Sequence, residues 1–146
     1  MMDLNYIQTP LRNQTIEEQI KDFYLLNNKE RTYQHVLGVA MAAEKLALQY
    51  QEDIRACIVA ALLHDISAVI TPQDMMKIAN ELQWQLDSAE KIYPFLLHQK
   101  ISALIAYEYF QIRDLSILKA IESHTTLRSN PSKLDMIIFI ADKLAW

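Results

Sequence analysis

Within residues 30–50, Val36, Val39, Ala40, Ala43, Leu46, Ala47 and Tyr50 recur at three- and four-residue steps, the spacing of one buried helix face. His35 lies one turn before Val39, on the edge of that stripe. The run 56–63 carries no polar side chain on any face. That predicts a helix buried all round, the central one of a bundle, capped by Asp53 and ending near Ile66. Thr15 followed by Glu18 reads as a capping box opening an earlier helix to about residue 26, which Asn27-Asn28 breaks. Thr71-Pro72 gives an N-cap and a proline at the first helical position. The helix it opens should reach about Trp84, with Met75, Met76, Ile78, Ala79 and Leu82 inward. From about 97 to 110, His98, Ile101, Ser102, Ile105 and Tyr109 share a face. Asp114 caps a helix to about His124, and Ser132 with Asp135 opens the last one. Residues 1–14 read as irregular, and 85–96 give no pattern beyond Pro94 ahead of the next helix.

Polar residues interrupt these faces at a few places. His64-Asp65 closes the apolar run, and a carboxylate there needs a cation to offset its burial. The dipeptide alone is common and fits a solvated helix end better than a site. The sequence, however, has only four histidines, His35, His64, His98 and His124, each in a segment with a strong apolar stripe. Asp142 shares a face with Leu134, Ile138, Ala141 and Ala145, where an aspartate should be paired or bound to metal. Six such residues on separate helices read as one convergent site. Imidazole with carboxylate suits Zn, Fe, Mn or Co.

Composition narrows the class. A chain of 146 residues is long enough for one domain with a real core. Gly38 is its only glycine and prolines number 4, which favours an all-α domain over a sandwich or barrel. The net charge of −4, without a basic run, argues against nucleic acid as a partner. A small phosphorylated ligand stays compatible, since a metal supplies the positive charge. Cys57, alone in an apolar run, reads as an inert core thiol of a reducing compartment. The N-terminus has no signal-peptide pattern, and no apolar run approaches the roughly 20 residues of a membrane span. The expectation is a cytoplasmic protein that does not enter a membrane.

Four stretches together resemble a known family. They are Arg31 with His35; Ala60-Ala61-Leu62-Leu63-His64-Asp65-Ile66; Leu97-His98; and Ala120-Ile121-Glu122-Ser123-His124-Thr125-Thr126 with Leu134-Asp135 and Ile140-Ala141-Asp142-Lys143. Their order resembles the HD superfamily of metal-dependent phosphohydrolases, and within it the YqeK-type symmetrical diadenosine tetraphosphate hydrolases. The resemblance spans roughly residues 16–146 and implies a single HD-domain helical bundle over the whole chain. It also implies a divalent, preferably di-iron centre, with Mn, Co or Zn as alternatives. His35, His64, Asp65 and Asp142 would hold one metal, and Asp65 would bridge to a second held by His98 and His124. His64 and Asp65 would be the catalytic pair, and a metal-activated hydroxide would split a nucleotide substrate, diadenosine tetraphosphate, into two ADP. No Ser-His-Asp or Cys-His arrangement competes, because every histidine is committed.

The chain also departs from that pattern. Ser67-Ala68 stands where a lysine often follows His-Asp-Ile, Gln99 where glycine often follows the third histidine, and Leu127 where glycine often follows His-Thr-Thr. The family chain usually continues to an arginine beyond the Ala-Asp-Lys segment, whereas this sequence reads to Trp146 in mid-helix. Arg31 is a candidate phosphate contact or a surface ion pair; Thr125 and Thr126 are ligand donors or helix-end caps. Lys143 is a phosphate contact or a solvated lysine. Trp146 would stack on a base, or pack on the bundle or in a homodimer contact. The rival readings are a metal- and nucleotide-binding regulatory module and an HD hydrolase of another nucleotide.

Overall fold

The computed structural model describes residues 6–10 and 14–145; the readings of residues 1–5, 11–13 and Trp146 lie outside them. Among the described residues eight α-helices follow one another: α1 (Ile16–Leu26), α2 (Glu30–Tyr50), α3 (Ile54–Leu63), α4 (Pro72–Glu81), α5 (Ser88–Ile92), α6 (His98–Tyr109), α7 (Leu115–Glu122) and α8 (Lys133–Leu144). Short 3-10 turns, Ile66–Val69 and Pro94–Leu97, precede α4 and α6. No strand occurs among the described residues. The fold is all-α, as the composition requires.

α3 sits at the centre. Ala56, Cys57, Val59, Ala60, Ala61, Leu62 and Leu63 are all buried, and α3 packs on α1, α2, α6, α7 and α8. Its alanines keep the girth small, so several neighbours approach at once. Burial, with Glu52 and Asp53 nearby, pushes the Cys57 thiol up to about 12, which leaves it inert at neutral pH. Among the described residues no single helix is long and apolar enough to cross a membrane.

The caps follow the local sequence. Asp53, Thr71 and Asp114 accept from Ala56 N–H, Asp74 N–H and Ser116 N–H, and Ser132 with Asp135 forms a full capping box. Thr15 accepts from Glu18 N–H. Among the described residues Asn28, Gln51, Gln83, Gln111, Leu127 and Asn130 have positive φ, doing work that glycine usually does at helix ends.

Two boundaries and one further helix differ from the expectation. α3 ends at Leu63 rather than Ile66, because two of its last carbonyls are capped from outside the helix. The Ala61 carbonyl accepts from His64 Nδ1 at 2.6 Å, and the Leu62 carbonyl accepts from the Tyr24 hydroxyl at 3.0 Å. α4 stops at Glu81, where Gln83 turns at φ 58. The unreadable stretch holds α5, whose Asp87 and Glu90 form a complete capping box. Five residues are too few for a hydrophobic period to show.

Candidate metal centre

The six polar intruders stand either within helices or at helix ends. His35 lies in the second turn of α2 and Asp142 in the last turns of α8. His64 follows the end of α3, and Asp65 precedes the first 3-10 turn. His98 opens α6, and His124 follows α7. The fold brings all six together, in two groups that share Asp65. One is His35, His64, Asp65 and Asp142; the other is Asp65, His98 and His124, with donor atoms in each within 4.8 Å of one another.

In the first group His35 Nε2 is 2.9 Å from Asp142 Oδ1 and 3.6 Å from Asp65 Oδ2, while His64 Nε2 is 3.3 Å from each of those oxygens. Asp65 turns its other oxygen, Oδ1, to His124 Nε2 at 3.5 Å. His98 Nε2 lies 3.1 Å from His124 Nε2 and 3.0 Å from the Thr125 hydroxyl. His64 and His124 are fully buried, whereas the Asp65 side chain keeps 23% of its surface, the widest opening among them.

Three imidazoles are oriented alike. Nδ1 of His64, His98 and His124 meets the carbonyl three residues earlier, on Ala61, Phe95 and Ile121, at 2.6, 2.6 and 2.8 Å. Those contacts assign the proton to Nδ1 and leave Nε2 aimed at the centre, as second-shell carbonyls do for metal-binding histidines. The Nε2 atoms of His98 and His124 then face each other as two acceptors at 3.1 Å, which a cation between them would relieve. Donors surrounding one ion at about 2.0–2.2 Å stand roughly 3–4 Å apart, and the spacings here lie in that range. Four imidazoles and two carboxylates make a borderline donor set for Zn, Fe, Mn or Co. The residues fit a metal.

The electrostatics agree. Burial would raise the Asp65 carboxyl, but His64 and His124 hold it well below the usual carboxylate range. Burial likewise opposes ionisation of Asp142, and His64 outweighs it. Burial would discharge His64; Asp65, Asp142 and the Ala61 carbonyl overcome it and push His64 up to about 10. His98 is held below its ordinary value by burial and by His124. Some cation must face these carboxylates, and a proton on His64 competes with a metal for that place.

The other candidates are placed differently. Thr125 is beside the cluster, its hydroxyl on His98 and its N–H donating to Gln99 Oε1 at 3.0 Å. Arg31 is exposed one turn before His35 on α2, and neither a hydrogen bond nor an ion pair joins it to the six. Lys143 is exposed with its ammonium 4.0 Å over the Phe139 ring. The cluster gathers neither Arg31 nor Lys143.

The departures have physical counterparts. Gln99 is buried, and its amide clamps the segment after α7 through Thr125 N–H and the Thr126 hydroxyl. Leu127 takes φ 57, the left-handed conformation that glycine adopts without cost. Ser67 is buried, with its N–H on Ser102 Oγ, and Ala68 remains half-exposed three residues from Asp65. Sequence reading marked Gln99 only as a departure, without its clamping role, and passed over Phe95, whose ring stacks on His98. A polar residue directly after His98 is the signal that pointed to Gln99, and nothing in the spacing singles out Phe95.

A cavity of about 320 Å³ is lined by Gln99, Ser123 and Thr126, the chain neighbours of His98, His124 and Thr125. Two of its cations are engaged, Lys100 by Glu90 at 2.8 Å and Arg128 by Asp135 at 2.7 Å.

Known proteins are similar to this chain over most of its length. The chain is 37% identical over 114 residues, 77% of its length, to a symmetrical bis(5'-nucleosyl)-tetraphosphatase of Halalkalibacterium halodurans, of which it covers 60%. It is 33% identical over 116 residues, 79% of its length, to a probable nicotinate-nucleotide adenylyltransferase/Ap4A hydrolase of Mycoplasma genitalium, of which it covers 32%. It thus spans less than two thirds of either relative. A crystal structure from Clostridium acetobutylicum, described as a predicted HD superfamily hydrolase involved in NAD metabolism, superposes with a TM-score of 0.81 at 34% identity. That match covers 86% of this chain and 67% of the other. The HD domain profile matches residues 32–146, a span that includes all six clustered donors, and the chain belongs to the HD domain family.

Proposed function

We propose that the chain is a metal-dependent phosphohydrolase that splits bis(5'-nucleosyl)-tetraphosphates at the central anhydride, diadenosine tetraphosphate giving two ADP. The observation that carries this reading is Asp65 with one oxygen in each donor group, which suits two ions held side by side. His35, His64, Asp65 and Asp142 would hold one, and Asp65, His98 and His124 the other; iron is favoured, with Mn, Co and Zn as alternatives. Bound metals lower the pKa of water towards neutrality and neutralise charge on phosphoryl oxygens. The names of the Halalkalibacterium and Mycoplasma relatives support the substrate class.

The rest falls to the side chains. The carbonyls of Ala61, Phe95 and Ile121 keep three imidazoles in one tautomer and one orientation, so no reorganisation is needed when substrate arrives. The Thr125 hydroxyl, 3.0 Å from His98 Nε2, would be released to donate to a phosphate oxygen once a metal takes that nitrogen. Arg31, exposed one turn before His35 on α2, is the candidate for a further phosphate contact. Cleavage adds water across the central P–O–P linkage: the hydroxyl goes to one phosphorus, and the other ADP leaves as a phosphate of low basicity needing no strong acid.

Chromatography of the products tests the reading. Metal-loaded protein should give ADP alone from diadenosine tetraphosphate. ATP plus AMP would overturn the symmetrical assignment. No product from metal-loaded protein that still binds ADP would favour a regulatory nucleotide-binding module. NAD belongs in the same panel, given the description of the Clostridium protein. Ala68→Lys should raise turnover at low substrate if the missing cation limits it.

A further inference from the structure

We propose that Phe95, with the groove beside it, is a stacking platform for a nucleobase, so that ligands are held by their base as well as by their phosphates. The proposal rests on the reading that the metal cluster receives the polyphosphate. The Phe95 ring lies flat on His98, centroids 4.4 Å apart and planes 16° from parallel, yet the residue remains 61% exposed. One face is therefore spent on a donor of the cluster while the other is offered outward. The ring is also well fixed. The Phe95 carbonyl accepts from Nδ1 of the same histidine, and Pro94 presets the first position of the 3-10 turn.

Beside the ring runs a groove of about 500 Å³ between α4 and that turn, lined by Pro72, Gln73, Met76, Ile92, Tyr93 and Phe95. Ile92 and Tyr93 are 69% and 66% exposed, an unusual outlay of apolar surface. Among the described residues no charged side chain lines the groove, so these offer nothing to a phosphate, while the Gln73 amide offers both a donor and an acceptor to a base edge. Its size falls in the range of small-molecule sites. What identifies the occupant is continuity: a planar apolar group on the outer face of Phe95 is one ring removed from an imidazole that shares a donor group with His124 and Asp65. A nucleotide is such a group joined to an anion.

The test is calorimetric titration of metal-loaded protein with ADP and with tripolyphosphate, which has no base. Phe95→Ala should weaken ADP roughly tenfold or more, the loss of one base–aromatic stack, and leave tripolyphosphate affinity and metal content unchanged. Phe95→Tyr should restore ADP. Equal losses for the two ligands, or loss of metal, would mean that Phe95 merely props His98 and would overturn the platform. Unchanged ADP affinity, or wild-type protein that binds no ADP, would overturn it too. So would a dimer that Phe95→Ala converts to monomer in sedimentation, since the groove then seats a second copy. The two proposals separate cleanly. ADP affinity that depends on Phe95 without hydrolysis keeps the platform and removes the activity; hydrolysis with KM unmoved by Phe95→Ala does the reverse.

Discussion

Asp65 is the residue on which the site turns, because its oxygens point to different partners, Oδ2 to His64 and His35 and Oδ1 to His124. Asp65→Ala should therefore remove both metals, whereas His98→Ala or His124→Ala should remove mainly the second. Elemental analysis per chain checks this, and equal loss in all three variants would leave a single site. His64 sets a pH dependence. Its folded pKa, raised to about 10 from 6.5, gives stability that is complete below about pH 6.5 and lost as pH rises through about 10. The depressed carboxylates Asp65 and Asp142 act in the opposite sense, contributing above their ordinary 3.8 and losing that contribution in acid. Metal-free protein should thus melt at progressively lower temperature from about pH 6.5 to 10. Added metal should help more as pH rises over that window, because it no longer competes with the His64 proton. Melting curves at fixed metal across that range decide it.

At the scale of elements, the early end of α3 is what aims His64 and Asp65. A helix continued to Ile66 would bury its Leu62 carbonyl in the ordinary ladder; instead the Tyr24 hydroxyl of α1 supplies the donor. Tyr24→Phe leaves that buried acceptor unpaired, at a cost of about 1–3 kcal/mol. The melting temperature should fall by about 2–10 °C, and metal content should fall with it if α1 helps to aim the His64-Asp65 corner. A drop in stability with full metal retention would confine Tyr24 to the helix end. The helices themselves were legible. Thr15, Asp53, Thr71, Asp114 and Ser132 cap helices where their side chains and the apolar spacing place them. α5 was not, because only the Asp87 and Glu90 pair marks it and Glu90 is also drawn inward by Lys100.

For the whole molecule, the cluster is a clasp between distant parts of the chain. His35 and Asp142 are 107 residues apart in sequence, and their contact joins α2 to α8. Metal at about 100 times its dissociation constant would add about 2.7 kcal/mol. Stripping it should lower the melting temperature by roughly 5–10 °C for a domain of this size. An unchanged curve for verified metal-free protein would count heavily against the centre. Much of this was written into the sequence locally, since hydrophobic period, caps and near-absence of glycine are properties of neighbouring residues. The six donors were legible for the same reason, as polar groups on stripes that otherwise exclude them. Only the tertiary structure decided how they meet. That Asp65 divides its oxygens, that three carbonyls orient three imidazoles, that Lys143 turns onto Phe139, and that Phe95 covers His98 all depend on distances between elements. Spacing along a chain fixes which face of a helix a side chain occupies; what that face meets is set by the packing of the others around α3.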